Sequence, residues 1–223
     1  MTNPASASAG GPSGERYRWL ITFRIEGDLR FISHHDTLRL WSRALNRTGL
    51  PLRFTEGFNP HPRIMLPLPR PVGIASRAEL LVFETLAPID PDEACERLQE
   101  VAPTGLTVLG GRRLADAERV HPTSVRYQLL LPEPPPPDWN DRLRQILEAK
   151  SLQVRRPDPE GGEGRTIDVR PYLLELSGQG QALEFTLKVT RDGTARPGEI
   201  AGLLGLDPKQ IHHRIERLEV QWQ

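Results

Sequence analysis

Two short stretches gather most of the residue types that could do chemistry. Ser33-His34-His35-Asp36 stands where a helix is predicted to begin, and Glu56-Gly57-Phe58-Asn59-Pro60-His61-Pro62-Arg63 occupies a loop soon after. Histidine changes charge near neutral pH and can donate, accept or ligate. Gly57 permits a backbone angle other residues avoid, and Pro60 and Pro62 fix φ on both sides of His61, so the loop presents its imidazole at low entropic cost. The first turn of a helix offers unpaired N–H groups and a positive dipole end. Two uses follow. One is a pocket for a phosphate or carboxylate, with Ser33, His34, Gly57, Phe58, Asn59, His61 and Arg63 as substrate-binding candidates. The other is acid–base chemistry, with His61, His34 and Asp36 as catalytic candidates. Metal binding would need three or four convergent ligands. His34, His35, His61 and Glu56 are the available donors, but their spacing matches no standard signature, so no metal and no cofactor is expected.

A third feature is a stripe of Arg39, Arg43 and Arg47 at i, i+4 and i+8 on the same predicted helix, suited to a nucleic-acid backbone. The surrounding charge agrees. Residues 16–70 hold ten arginines and four acids (Glu26, Asp28, Asp36, Glu56), a net +6, whereas residues 71–223 carry −5; with Glu15 the chain of 223 residues is neutral overall. Only three lysines occur, and arginine is the better bidentate partner for phosphate. His212-His213 reads as structural. Arg165-Thr166-Ile167-Asp168 is similar to the Arg-Thr-Asp motif of pseudouridine synthases, but an isoleucine intervenes and the segment reads better as the start of a strand.

Absences narrow the field. There is no phosphate-cradling Walker loop, no GxGxxG and no nucleophile elbow. The single cysteine, Cys95, excludes a disulfide framework, a four-cysteine zinc site and a cysteine-ligated iron–sulfur cluster within this chain. It fits a reducing, cytoplasmic compartment. No run of about 18 apolar residues exists to span a membrane. Residues 1–14, rich in Ala, Ser, Gly and Pro without an apolar core, read as a disordered tail and not as a secretory signal.

The elements that must position these residues follow from periodicity. Tyr17, Trp19, Ile21, Phe23 and Ile25 alternate as a half-buried strand. Ser33 caps a helix from about His34 to Thr48, with Asp36 as its partner and Leu38, Trp41, Ala44 and Leu45 as its apolar stripe; Gly49 ends it. Short strands at 51–54, 78–86 and 105–109 and a helix at 90–102 complete a β-α-β-β-α-β order. The second half repeats it: a strand from Ser124, a helix at 138–150 after the Pro134–Pro137 spacer, a short strand near Val154, a long hairpin of 167–176 with 183–190 turning at Gly178-Gln179-Gly180, a helix at 197–204, and a strand over 211–222. The predicted fold class is α+β, two tandem ferredoxin-like domains with antiparallel sheets. They span 15–114 and 124–223, joined by a linker at 115–123.

Gly27 to Asp36, then Arg43-Ala44-Leu45, Gly49-Leu50-Pro51 and Glu56 to Pro62, resemble the radical-SAM-linked protein family, a bacterial domain of unknown function. Ile167 to Tyr172 and Gly193 to Pro197 fit as well. His35, where the family usually carries leucine, and Glu56 depart from the pattern, so Ser33, His34, Asp36 and His61 match it best. The resemblance implies an accessory module that presents RNA or another anionic substrate to a radical-SAM partner protein, with no membrane involvement. An alternative is a stand-alone enzyme acting on a nucleotide-like or RNA substrate.

Overall fold

Strand β1 (Tyr17–Ile25) opens the chain as an alternating strand should, but it is buried on both sides. Trp19, Ile21, Phe23 and Ile25 enter the main core of the first half, while Leu20 joins Leu80, Val82, Leu114 and Val120 in a small cluster on the opposite face. The computed structural model describes residues 16–158 and 161–223. The disordered tail expected over 1–14 lies outside the described residues.

Ser33 caps helix α1 (His34–Arg47), which packs Trp41, Ala44 and Leu45 onto the sheet, with Trp41 edge-on to Phe23 at 4.9 Å. Gly49, at φ 70°, turns the chain after the helix. The next strand is reduced to β2 (Ile64–Met65), because Leu52 and Phe54 form only isolated bridges, to Thr85 and Pro62. Strand β3 (Ala75–Thr85), helix α2 (Pro91–Val101, capped by Asp90) and strand β4 (Leu106–Leu114) complete this half.

The second half contains β5 (Pro122–Leu130), α3 (Trp139–Glu148), β6 (Gln153–Arg156), β7 (Arg165–Asp168), β8 (Leu173–Gln179), β9 (Ala182–Lys188), α4 (Pro197–Leu203), α5 (Pro208–Ile211) and β10 (Ile215–Trp222). The described residues form a mixed α/β fold with five α-helices and a mostly antiparallel eight-stranded sheet, ordered β4-β1-β3-β10-β5-β9-β8 with β2 on β3. The halves meet where β3 runs parallel to β10, Ala75 opposite Glu216 and Ser76 opposite Arg217.

Element boundaries differ from those the sequence predicts: β3 already begins at Ala75, β4 runs on to Leu114, and three further differences have local causes. The strand expected over 167–176 is two strands. β7 pairs only with β6, in a separate two-stranded sheet, and β8 pairs with β9. Asp168 breaks the ladder by accepting the N–H groups of Leu152 and Arg170, and Pro171 has no N–H to give. The β8–β9 turn falls at Gly180, at φ 56°, instead of centring on Gln179. Gly178 stays inside β8 because the indole of Trp139 packs against it; a Cβ there would lie 3.0 Å from Trp139 Nε1. Finally, residues 211–214 are helical. Asp207 caps α5 through Lys209 N–H, with Pro208 in its first turn, and a 3-10 turn at 212–214 delays the last strand to Ile215.

Candidate functional site

Helix α1 and the loop after it wall one pocket. At the helix start the Ser33 hydroxyl accepts the Asp36 N–H at 3.1 Å and donates to Asp36 Oδ2 at 2.6 Å. Asp36 Oδ1 accepts from Arg39 at 3.2 Å. The Ser33 hydrogen bond, helped by Arg39, holds the Asp36 carboxyl below its ordinary range. Asp36 is therefore a charged structural partner that aims Arg39.

The loop is stitched to the edge of the sheet. Arg53 N–H donates to the Glu84 carbonyl, Glu84 N–H to Arg63, and Arg63 N–H to Arg53. Further out, Thr55 N–H donates to the His61 carbonyl at 2.8 Å and His61 N–H to Thr55 Oγ1 at 3.2 Å. His61 Nδ1 lies 3.2 Å from the same hydroxyl and 3.3 Å from the Asn59 carbonyl. The imidazole is thus fixed on one edge. Gly57, at φ 119°, forms the tip, and beside it Phe58 stands at 105 % exposure with its ring in solvent.

Between loop and helix lies a cavity of about 570 Å³ lined by Arg18, Arg39, Arg63 and His61, with Leu38, Ile64, Met65 and Val82 among its apolar walls. Its one carboxylate, Glu84, is paired to Arg53 at 3.1 Å. Each of the three arginines makes limited contact with the protein: Arg18 with the Glu118 carbonyl, Arg39 with Asp36, Arg63 with the Phe54 carbonyl. Arginine has five N–H donors, so most remain available to an anion. The pocket suits a phosphate or carboxylate attached to a body with an apolar face.

The other sequence candidates are dispersed. His34 lines a separate small cavity with Thr37, Arg70 and Glu79. Burial, and then the neighbouring His35, lower its pKa, and Glu79 opposes them. His34 and His61 do not share a cavity. His35 is exposed and meets His34 ring to ring at 6.1 Å. Glu56 is exposed near the loop tip. The arginine stripe divides. Arg39 lines the pocket, Arg43 is exposed, and Arg47 donates to the Val101 carbonyl at 2.6 Å, tying α1 to the end of α2. No cluster of three or more His, Cys, Asp or Glu positioned to share a metal ion occurs among the described residues. Burial pushes the Cys95 thiol up, which disfavours the thiolate a nucleophile needs. Asp168 is occupied by backbone N–H groups, which hold its carboxyl low.

Sequence reasoning missed Arg18, whose only signal was its outward place in an alternating strand. It also missed the ionic junction between the halves. Arg217, 1 % exposed, donates to Glu79 Oε1 at 2.8 Å, to the Pro69 carbonyl at 3.0 Å and to the Tyr127 hydroxyl at 3.4 Å. Nearby, Arg70 is buried and clamps the carbonyls of Leu29, Arg30 and Ile74.

These features define a mixed α/β protein whose cationic, partly apolar pocket sits on a basic half. A family model described as an uncharacterized protein conserved in bacteria, DUF2344, matches residues 18–197, and the chain belongs to that family. No curated protein matches it. A solved structure of an unknown protein from Galdieria sulphuraria is similar over 94 % of this chain and 98 % of that one, at 12 % identity and a TM-score of 0.26, a likeness too low to carry an argument. No helix is long and apolar enough to cross a membrane among the described residues.

Proposed function

We propose that this chain is a recognition module that binds single-stranded RNA through the loop pocket. The observation that carries the reading is the convergence of Arg18, Arg39, Arg63 and His61 on one cavity, beside a fully exposed Phe58. Single-stranded RNA is bound by cations that follow the backbone and by aromatic rings on which bases stack. Here Arg39, Arg63 and Arg18 engage phosphate, His61 donates a further hydrogen bond, and Phe58 stacks on a base. Arg43, exposed one turn beyond Arg39, extends the contact. An acid–base mechanism has less support, because His34 lies in a different cavity from His61 and Asp36 is engaged by Ser33 and Arg39.

The module acts beside a radical-SAM protein in the cytoplasm. Support for the partner is the resemblance carried by Gly27–Asp36 and Glu56–Pro62; support for the division of labour is the single Cys95, which leaves the cluster chemistry to another chain. Each half is read as a ferredoxin-like unit. In the first, β4-β1-β3-β2 and, in the second, β10-β5-β9-β8 give the 4-1-3-2 strand order, with the β6–β7 hairpin inserted into the second.

The test is fluorescence anisotropy with a labelled twelve-nucleotide RNA. The wild-type chain binds with an affinity that falls steeply with salt, and Arg39→Glu/Arg63→Glu weakens it by ten-fold or more (order of magnitude). Phe58→Ala weakens it by about 1–3 kcal/mol, the usual value of one stacked base. Binding insensitive to all three changes overturns the reading.

A further inference from the structure

A second cavity is larger than the loop pocket. A cleft of about 1030 Å³ opens where the loop at Pro69–Pro71 faces the β6 strand of the inserted hairpin and the α4–α5 segment. We propose that it is a second, independent site, and that its ligand is a nucleotide: a small molecule with phosphates and a flat base.

Charge is the first argument. Residues 71–223 are net acidic, yet this cleft, most of whose lining they supply, is cationic. Arg155, Arg196 and Lys209, from three separate segments, line it with no side-chain hydrogen bond or ion pair to any described residue. The one carboxylate among its described lining residues, Glu199, is neutralised by Arg156 through a two-pronged ion pair at 2.6 and 2.8 Å, largely shielded from solvent. Like charges gathered around a concavity repel, and a polyanion relieves that repulsion. Three free cations match the several charges of a di- or triphosphate better than a single carboxylate.

Shape is the second. The cleft is framed by groups already fixed. Arg156 ties the hairpin to α4, reaching the Thr194 carbonyl as well as Glu199, and Arg70 pins the opposite wall to the first half. Apolar walls come from Val154, Pro157, Pro197, Leu203 and Pro208, rigid flat surfaces against which a base can lie. The volume is at the upper end of the roughly 300–1,000 Å³ usual for small-ligand sites. Gly198 lets α4 approach closely: a Cβ there would lie 3.3 Å from Pro208. The inserted hairpin and the Gly193-Thr194-Ala195-Arg196-Pro197 run, neither used by the loop pocket, both build this cleft.

The test is a fluorescence titration of the full chain with MANT-ADP. Saturable binding is expected, displaced by pyrophosphate and not by adenosine, because the phosphates carry the recognition. Arg155→Gln/Lys209→Gln should weaken it about ten-fold or more, as the loss of charge-assisted hydrogen bonds predicts. Gly202→Phe, which fills the cleft without changing charge, should do the same. The Arg155 and Lys209 side chains make no hydrogen bond or ion pair to a described residue, so the melting temperature of the double variant should match the wild type. Arg39→Glu/Arg63→Glu should leave MANT-ADP binding intact while abolishing RNA binding, which separates the two sites. The proposal is overturned by absence of saturable binding, by binding indifferent to the cleft variants, by loss of binding in the loop-pocket variant, or by cleft variants that weaken the RNA probe alone.

Discussion

Glu79→Ala removes the carboxylate paired with the guanidinium of Arg217, a side chain 1 % exposed at the seam between the halves. The substitution leaves a buried cation with two neutral acceptors, the Pro69 carbonyl and the Tyr127 hydroxyl. Breaking a buried ion pair from one side costs about 3–5 kcal/mol, and these remaining acceptors place the loss near 3. For a chain of this size about 1 kcal/mol moves the melting temperature by roughly 2–4 °C, so a fall of about 6–12 °C is expected. Replacing both partners with apolar residues, Glu79→Leu/Arg217→Met, removes the uncompensated Arg217 charge and should recover part of the loss; the buried Arg70, which Glu79 also offsets, keeps only its backbone carbonyls. Urea unfolding followed by circular dichroism, with Arg217→Met alone completing the cycle, measures the coupling. A Glu79→Ala loss below about 1 kcal/mol, or a double variant as unstable as the single one, would refute the claim that this pair is desolvated and holds the seam.

Other expectations concern the cap, the core and pH. Ser33→Ala removes the acceptor for Asp36 N–H at the start of α1 and should cost about 1 kcal/mol in thermal unfolding. Gly178→Ala forces a methyl to 3.0 Å from Trp139 Nε1 and 3.1 Å from Leu143 Cδ1, an overpacking cost of about 1–3 kcal/mol read from denaturant midpoints. His34 and His212 are both held below the ordinary histidine value of 6.5, chiefly by burial. Because the unfolded chain takes up these protons first, stability should be complete above about pH 6.5 and should fall as pH drops below it. His212→Asn should flatten that slope, measured as chemical-unfolding free energy against pH.

The legibility of the fold varied with the range of the interactions. Helix α1 was readable because its signals are local: Ser33 and Asp36 bond within one turn, and Trp41, Ala44 and Leu45 share a face. Strand β7 was merged with β8 because Ile167, Val169 and Leu173 kept an apolar rhythm while the break depended on where the Asp168 side chain pointed. The strand predicted from Ile211 overruns the helical turns at 211–214, because Ile211, Ile215 and Val220 look like one apolar run and the Asp207-Pro208 helix start precedes it. The seam was illegible. Arg217 and Glu79 lie 138 residues apart, and a charged residue in an alternating strand reads as solvent-facing until its partner is known. For the candidate site, the stiffened loop and Arg39 could be singled out, yet which histidine shares a cavity with them depends on tertiary packing. The cationic cleft is hidden by averaging, since a net negative half supplies most of its lining.

The central claim is that RNA lies across the loop after α1. Ultraviolet crosslinking of the full chain to a photoreactive single-stranded RNA, followed by mass spectrometry of the peptides, tests it directly. Adducts are expected within residues 54–63, with Phe58 the principal site, and should be lost at high salt and in Arg39→Glu/Arg63→Glu. Adducts confined to the second half, with residues 54–63 unmodified, would contradict it.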